Sequence, residues 1–597
     1  MVLENDPIVF LQWLPGALLF FAIAAVSVSA VALIISFVVL AFRLGPMPAG
    51  DRLFKTIVAA VNDLGHTSPR RVWALARLAM QEALRRRILV ALAVFFVIML
   101  FAGWFLDSTT NDPATLYLSF VLSASLYLTL LIALFLSVFS LPTDIKNRTI
   151  TTVVTKPVRH GEIVLGRILG FSAVGTIMLL AMALVSYVFV SRGLNHTHEL
   201  DTTELKLVAE KSDAPQKTGE TNTAQGHSHE VTIDAKTGQG STDFQHGHYH
   251  DVTIENRKGN EVATLGPPRG MLVARVPIYG SLRYLDRKGD AVAKGISVGA
   301  EWGYRSYIEG NTPAAAMWTF NDITPEKFPN GLPVEMTLRV FRTYKGDMEK
   351  GIASALFLRN PSMGRESAFH IFRAKDFKLD QFTVPVEWVD KAGKPINLFK
   401  DLVYNGQVEI RVQCLEPAQY LGVAKADLYL KARNASYSLN FIKGFAGIWL
   451  QMILVTAFGV MFSTFLSGPV AMMATISALV LGFFTESVFD LVYKNVSGGG
   501  PIESLIRIIN QSNMTTEMDE GLTRTVVQTI DAILLEVMHA FTRLVPDFRT
   551  FDNVSFLAHG YNIPNGQVLS QILATAGYVL ATFVVGYFFL RAREVSK

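Results

Sequence analysis

The chain has 597 residues, of which 50% are hydrophobic and only 17% are charged, with a net charge of +4 and a mean hydropathy of +0.32. A soluble protein of this length rarely has so few charges, so the composition indicates a polytopic membrane protein. No long basic run points to nucleic acid, and a single cysteine, Cys414, excludes an internal disulfide framework.

Seven apolar runs are long enough to cross a bilayer as helices. They lie at 14–42, 88–106, 116–140, 168–190, 443–466, 470–489 and 567–590. Lys and Arg are concentrated in segments 43–87 and 141–167 and again after residue 590, and this excess is typical of cytoplasmic segments. The pattern predicts a multi-pass protein of the cell membrane (bacterial inner or plasma membrane). Its N-terminus is expected outside and its C-terminus in the cytoplasm.

These runs and the segments between them predict seven parts of the chain. The parts are an extra N-terminal transmembrane helix (1–45), a cytoplasmic linker with an amphipathic elbow helix (46–87), the first half of a transmembrane core (88–191) with its loop at 141–167, an extracytoplasmic β-rich domain (192–440), two transmembrane helices (441–490), extracytoplasmic amphipathic helices (491–566), and the last transmembrane helix with a cytoplasmic tail (567–597). In the elbow helix Val72, Leu75, Ala76, Ala79 and Ala83 fall on one face.

The segment 192–440 differs in character from the rest of the chain. Runs such as 334–344, 382–389 and 408–412 are rich in strand-forming residues and are bounded by turn signals. This pattern is typical of antiparallel sheets that are buried on one face. We therefore expect a large inserted β-sandwich-like domain in an otherwise α-helical membrane protein, with a core of its own.

Seven of the 12 histidines lie in one 55-residue stretch of this domain, 196–250. They form three H-x-H groups: His196 and His198; His227 and His229; and His246, His248 and His250. The last two groups belong to an internal repeat, GHSHEVTIDAKTG (226–238) and GHYHDVTIENRKG (247–259).

Residues two apart in an extended chain point the same way, so each pair presents two imidazoles on one face. Imidazole suits Zn, Cu or Ni, and two pairs that meet could complete a four-ligand site for a divalent transition metal. One alternative is a repeated polar hairpin whose histidines are exposed or hydrogen-bonded. Another is partial disorder around 211–245, which is rich in Gly, Thr and Lys.

The loop 141–170, LPTDIKNRTITTVVTKPVRHGEIVLGRILG, has a specific order of residues as well as basic charge. Its marked positions are Asp144, Arg148, Thr149, Lys156, Pro157, Arg159, Glu162, Gly166 and Arg167. This order resembles the signature loop of ABC-2-type transporter permeases, from which it departs at His160, where the pattern has Arg. The alternative is an ordinary cytoplasmic loop anchored by positive charge.

A second stretch, LVPDFRTFDNVSFLAHG (544–560), is similar to the close of ABC-2 permeases related to multicopper-enzyme maturation transporters. Together the two likenesses cover about 70–191 and 441–597, and they leave out the first span and the β-rich domain. They imply a six-span ABC-2 core that works as a homo- or heterodimer. They also imply that the marked loop residues dock on a separate ABC ATPase subunit.

No G-x-x-x-x-G-K-[ST] loop occurs in the chain, so we expect no ATP hydrolysis by this polypeptide, and hence no enzyme activity. The expected function is that of a membrane permease subunit in export or envelope-directed work, with no cofactor other than a metal at the histidines. One alternative is an envelope scaffold that binds an extracytoplasmic partner. The other is a membrane-anchored metal-binding protein that acts outside the cell.

Overall fold

The structure is a computed structural model. It describes residues 9–85, 89–106, 109–110, 112–147, 158–208, 215–257, 260–298, 305–344, 350–376, 378–493, 500–513 and 521–593. Four of the predicted loop positions, Arg148, Thr149, Lys156 and Pro157, lie outside the described residues.

The described part contains thirteen α-helices. They are α1 (Phe10–Leu44), α2 (Pro46–Gly65), α3 (Pro69–Arg85), α4 (Leu89–Phe105), α5 (Pro113–Lys146), α6 (His160–Gly193), α7 (Tyr437–Ser463), α8 (Gly468–Phe483), α9 (Thr485–Tyr493), α10 (Pro501–Ile509), α11 (Leu522–Thr542), α12 (Val554–Ala558) and α13 (Asn565–Ala592).

Six of these helices, α1, α5, α6, α7, α11 and α13, are long and apolar enough to cross a membrane. Two bent pairs also qualify when each is taken as one span, Pro69–Arg85 with Val90–Phe105 and Gly468–Phe483 with Thr485–Val492, which raises the number to eight at most. The helices therefore indicate a membrane protein. The predicted count of seven spans is not confirmed, since α11, which we expected to be too polar, passes the same criterion.

Between α6 and α7 lies a large β-rich region, as expected from the sequence. Its strands are β1 (Lys206–Val208), β2 (Gln216–Glu220), β3 (Glu230–Asp234), β4 (Gln239–Thr242), β5 (Asp251–Arg257), β6 (Asn260–Leu265), β7 (Arg275–Tyr279), β8 (Ser281–Leu285), β9 (Ala291–Val292), β10 (Ser306–Glu309), β11 (Ala315–Phe320), β12 (Leu332–Thr337), β13 (Arg339–Arg342), β14 (Ile352–Arg359), β15 (His370–Ala374), β16 (Leu379–Val384), β17 (Glu387–Val389), β18 (Pro395–Asn397), β19 (Val408–Cys414), β20 (Gln419–Val423) and β21 (Leu428–Asn434).

The first six strands form an antiparallel meander in chain order, β1-β2-β3-β4-β5-β6. Its apolar core is small and consists of Val231, Ile233 and Val252, with a few half-buried neighbours. Such a sheet buries little apolar surface of its own, and small units of this kind usually need a further source of stability.

The remaining strands form a second and larger unit. A six-stranded sheet of order β15-β14-β19-β11-β8-β9 and a four-stranded sheet of order β16-β12-β21-β7 contribute to one apolar core. Trp318 of β11, Leu356 of β14 and Leu430 of β21 are fully buried there. Cys414 of β19 is 1% exposed, and burial raises the pKa of its thiol to about 11. It is therefore an inert core residue.

The β-rich region is joined to the helices by main-chain hydrogen bonds as well as by the chain itself. The Arg275 amide at the start of β7 donates to the Gly560 carbonyl (2.8 Å), and the Asn562 amide donates back to the Arg275 carbonyl (2.8 Å). The Thr115 hydroxyl of α5 donates to the Ala558 carbonyl of α12 (3.0 Å). The segment before α13 thus connects the β-rich region to the helical bundle.

Candidate metal centre and charge cluster

Six of the seven clustered histidines converge on one point at the end of α6. His196 and His198 follow α6 directly, whereas the other two pairs come just before β3 and β5 of the meander. The six are His196, His198, His227, His229, His248 and His250, with exposed fractions of 0–9%. Buried polar side chains require partners, so the surroundings of these rings decide what the cluster can do.

The histidine pairs before β3 and β5 are placed by two equivalent tight turns. Gln225 and Gly226 both have positive φ, as do His246 and Gly247 at the corresponding positions of the second copy. Two central residues with positive φ are typical of the type I′ hairpin turn. His246 is therefore a turn residue and lies outside the group of six. Its Nδ1 atom lies 2.7 Å from the Thr110 carbonyl oxygen, between α4 and α5.

All six converging rings are held in the same way through Nδ1. Each Nδ1 atom lies 2.8–3.4 Å from a backbone carbonyl oxygen. The carbonyls belong to Leu194 for His196, Asn222 for His198, Gln225 for His227, Asp243 for His229, His246 for His248 and Gly266 for His250. A carbonyl oxygen only accepts, so Nδ1 carries the hydrogen of the neutral ring and Nε2 keeps its lone pair.

The Nε2 atoms point at one another at the centre of the cluster. The Nε2 atom of His248 lies 3.0 Å from that of His196, 3.2 Å from that of His229 and 3.3 Å from that of His227. Burial lowers the pKa of His196 and His198, that of His227 and His250 to about 4, and that of His248 to about 2. These rings are therefore neutral near pH 7.

Neutral rings of this tautomer cannot satisfy each other at the centre. With Nδ1 protonated, neither Nε2 atom of a facing pair has a hydrogen to donate. Within the described part of the chain, the Nε2 atom of His250 is buried with no hydrogen-bond partner. A buried group of acceptor nitrogens without donors is stabilised by a cation. The ligand atoms of four of the rings, His196, His198, His248 and His250, all lie within 4.8 Å of one another. The cluster could therefore bind a metal ion.

The structure differs from the sequence expectation in how many histidines meet. We expected two H-x-H pairs to form a four-ligand site, but three pairs converge. The pair His196 and His198 lies outside the visible repeat. It nevertheless shares the pattern H-x-H followed by an acidic residue, since NHTHEL precedes GHSHEV and GHYHDV in the chain. That short pattern is the signal that could have revealed the third pair.

The other end of α6 carries a cluster of paired charges, which we call the charge cluster (Arg71, Glu82, Asp144, Glu162 and Arg167). Glu162 is fully buried in the first turn of α6. Its carboxylate accepts from the Arg71 side chain (2.7–2.9 Å), from the Ser68 amide (2.9 Å) and from the Arg159 amide (3.1 Å). The contact to Arg159 closes the first turn as a capping interaction does.

Arg167, one turn further along α6, pairs with two carboxylates from different helices. It donates to Glu82 of α3 (2.6 Å) and to Asp144 near the end of α5. The side chain of Arg159 bonds instead to the Asn62 carbonyl (2.9 Å) and pairs with Asp63 of α2 (3.3 Å). The sequence-predicted residues Asp144, Arg159, Glu162 and Arg167 thus lie close together, but their partners Arg71, Glu82 and Asp63 were not among those predicted.

Gly166 is the remaining predicted position among the described residues, and it lets α6 approach α3 closely. A Cβ atom at Gly166 would lie 2.6 Å from the Leu75 Cβ, and one at Gly170 would lie 2.5 Å from the Ala76 carbonyl oxygen. Small residues four apart allow such close contacts between membrane helices. The facing residues Ala76, Ala79 and Ala83 of α3 are buried.

No protein-family model and no curated protein matches the chain.

Proposed function

We propose that the chain is the membrane permease subunit of an ABC transporter of the ABC-2 type, driven by a separate ATPase subunit. One observation carries this proposal. Both flanks of the segment 148–157 are attached to the same helix, α3. On the α6 side, Glu162 pairs with Arg71 of α3. On the α5 side, Asp144 pairs with Arg167, which also pairs with Glu82 of α3. In addition, the residue order of that segment is the one that resembles the ABC-2 signature loop.

An element that transmits force from an ATPase must be short and held firmly at its base. The charge cluster provides such a base, because its carboxylates are buried or half-buried and its side chains come from three helices, α3, α5 and α6. The partner expected from the family likeness is an ABC ATPase bound on the cytoplasmic side, with two permease chains in the assembly. Export or envelope-directed work is the expected outcome, carried by a six-span core with α1 as an extra helix.

A topology experiment tests the first requirement of the proposal. The native Cys414 is buried, so a new cysteine can be labelled above a low background. In intact cells, a membrane-impermeant maleimide should label Lys400→Cys in the β-rich region and spare Thr152→Cys in the loop until the cells are opened. Labelling of Thr152→Cys from outside would exclude docking of a cytoplasmic ATPase.

A coupling experiment tests the second requirement. The chain is co-expressed with an ABC ATPase subunit that co-purifies with it, and ATP hydrolysis by the complex in lipid is compared with that of the ATPase subunit alone. Arg148→Glu combined with Lys156→Glu should abolish the stimulation, whereas the matched charge reversal Lys400→Glu should leave it intact. Stimulation that survives the double reversal would contradict the assignment of the loop.

We propose a second function, metal binding by the β-rich region, because the Nε2 atoms of six buried imidazoles meet in one place. A divalent transition metal fits this donor set, since imidazole is a common ligand of these ions. The chain would then be a metal-binding membrane protein, whether or not it also couples to an ATPase. Metal analysis of the purified full-length protein, before and after chelation, tests this function directly.

A further inference from the structure

We propose that the six histidines bind one metal ion as a closed octahedron, with all six Nε2 atoms as ligands. The inference rests on the metal-binding function proposed above and is independent of the ATPase partner. It goes further by fixing the number of ions, their coordination and their chemical class.

The arrangement of the rings carries the inference. Each ring centroid lies 4.7–5.2 Å from those of all the others except one, and the ring planes of these neighbours are inclined at 68–88°. The excepted pairs are His196 with His229, His198 with His248, and His227 with His250. An octahedron has this property, since every vertex adjoins all the others except the one opposite.

The distances between the nitrogen atoms agree with this geometry. In a regular octahedron, adjacent ligand atoms are separated by about 1.4 times the metal–ligand bond. The four Nε2–Nε2 distances of 3.0–3.3 Å all belong to adjacent pairs. They correspond to bonds of about 2.1–2.3 Å, close to the usual metal–imidazole length of about 2.0–2.1 Å.

The chain builds this octahedron from three similar segments. The first histidine of each pair bonds through Nδ1 to the carbonyl two residues before it. The second bonds to a carbonyl further along the chain, as His198 does to Asn222 and His229 to Asp243. The three first histidines form one face of the octahedron and the three second histidines form the opposite face. The repeat in the sequence is therefore a repeat of ligands about one centre.

The coordination number selects the class of ion. Structural Zn²⁺ sites are almost always tetrahedral, Cu²⁺ prefers a tetragonal arrangement, and Mg²⁺ and Ca²⁺ prefer oxygen ligands. Six imidazole nitrogens in an octahedron suit Mn²⁺, Fe²⁺, Co²⁺ and Ni²⁺, whose affinities rise in that order. Among these we expect Ni²⁺ to bind most tightly in a competition at equal concentrations.

The closed shell also limits what the ion can do. A catalytic metal keeps a position open for water or substrate, and here the protein fills every position. The carboxylate of Asp243 lies 3.2 Å from the Nδ1 atom of His229 and orients that ring from outside the centre. The site is therefore one that holds an ion and fixes the surrounding chain, and it has no place for a reacting group.

Metal titration of the full-length protein in detergent, after removal of metal by a chelator, tests the inference. We expect one Ni²⁺ per chain. Co²⁺ should give the weak absorption bands of an octahedral complex, because a centre of symmetry weakens these transitions. His196→Ala and His229→Ala should each lower Ni²⁺ affinity by at least about 100-fold. His246→Gln is the matched control, since it removes a histidine outside the octahedron and puts there the residue that occupies the equivalent turn position, Gln225, and it should leave affinity unchanged.

Several results would overturn the octahedron while leaving metal binding in place. They are intense tetrahedral Co²⁺ bands, two ions per chain, tighter binding of Zn²⁺ than of Ni²⁺, or an equal loss of affinity in His246→Gln. The Co²⁺ spectrum of the unmodified protein needs no variant and so stands even if a substitution prevents folding. Absence of binding by any of these ions would refute the metal-binding function as a whole.

Discussion

The two ends of α6 bring buried polar groups together in opposite ways. In the charge cluster, carboxylates meet guanidinium groups and main-chain amides, so every acceptor faces a donor from this chain. At the histidine end, acceptor nitrogens face other acceptor nitrogens at 3.0–3.3 Å. The first arrangement is complete within the protein, and the second is complete only with a cation.

This difference predicts which intervention each end responds to. Paired charges are broken by removing one partner, which leaves the other buried without compensation. A set of like acceptors is disturbed by removing the ion they share. Two of the four experiments below compare the two ends directly and two test other buried contacts, and all are ordered by the size of the expected effect.

The largest effect is expected at the charge cluster. Glu162→Ala removes the acceptor of the Arg71 side chain and of the Ser68 and Arg159 amides. We expect a loss of about 3–5 kcal/mol, as for other broken buried pairs. The readout is the Tm of the detergent-solubilised protein, with Glu162→Gln as a milder variant that keeps the shape. Ni²⁺ affinity should not change, and a parallel loss of metal binding would show that the two ends are not independent.

Chelation should act on the meander and not on the charge cluster. An ion at one hundred times its Kd contributes about 2.7 kcal/mol to the folded state. The meander has a small apolar core, so its amides in 216–265 should lose protection when the metal is removed. Hydrogen exchange followed by mass spectrometry measures this. Amides of α3 and the first turns of α6 serve as the internal control, and uniform loss of protection would contradict local action.

Gly170→Ala tests whether close packing, and not charge alone, holds α3 on α6. The added Cβ would lie 2.5 Å from the Ala76 carbonyl oxygen, which cannot be accommodated without a shift of the helix. We expect a loss of about 1–3 kcal/mol from overpacking, read as a fall in Tm. Gly103→Ala is the matched control in α4, where nothing lies within 4 Å of the new atom. Equal Tm values for the two variants would contradict the prediction.

Asp380 offers a third case, a half-buried carboxylate with one buried oxygen atom. Its Oδ2 atom has no hydrogen-bond partner within the described residues, and burial raises its pKa to about 6. Between about pH 4 and pH 6 the folded protein holds a proton on Asp380, whereas the unfolded chain does not. The free energy of unfolding therefore rises as the pH falls from above 6 toward 4. Asp380→Asn should remove this dependence and raise the Tm at pH 7.5 by about 2–4 °C. A Tm-against-pH profile that keeps its slope in the variant would argue against this residue.

The sequence predicted the helices and the β-rich region because both depend on local patterns. Apolar length located α1, α5, α6, α7 and α13, and strand signals located the insert between α6 and α7. The bent pairs were harder, since a bend leaves composition unchanged. Helix α11 meets the criterion of length and composition for a span, and its assignment as an extracytoplasmic amphipathic helix stays a prediction.

The sites depend on contacts between distant residues, and local patterns do not specify these. Glu162 and Arg71 are 91 residues apart, and His248 and His196 are 52 apart. The H-x-H pairs indicated the type of ligand, but the number that meet follows from how the meander folds back on the end of α6. The loop positions Arg148, Thr149, Lys156 and Pro157 remain predictions.

The continuity of α6 has a thermodynamic consequence for the whole molecule. The helix has 34 residues with no proline inside it, a length of about 50 Å, and His196 follows three residues after its last one. A displacement of the helix along its axis therefore moves one of the proposed metal ligands. Metal–nitrogen distances vary by only about 0.2 Å. Where the four histidines of the meander keep their place, ion affinity differs between two axial positions of α6, and by reciprocity a bound ion favours one of them.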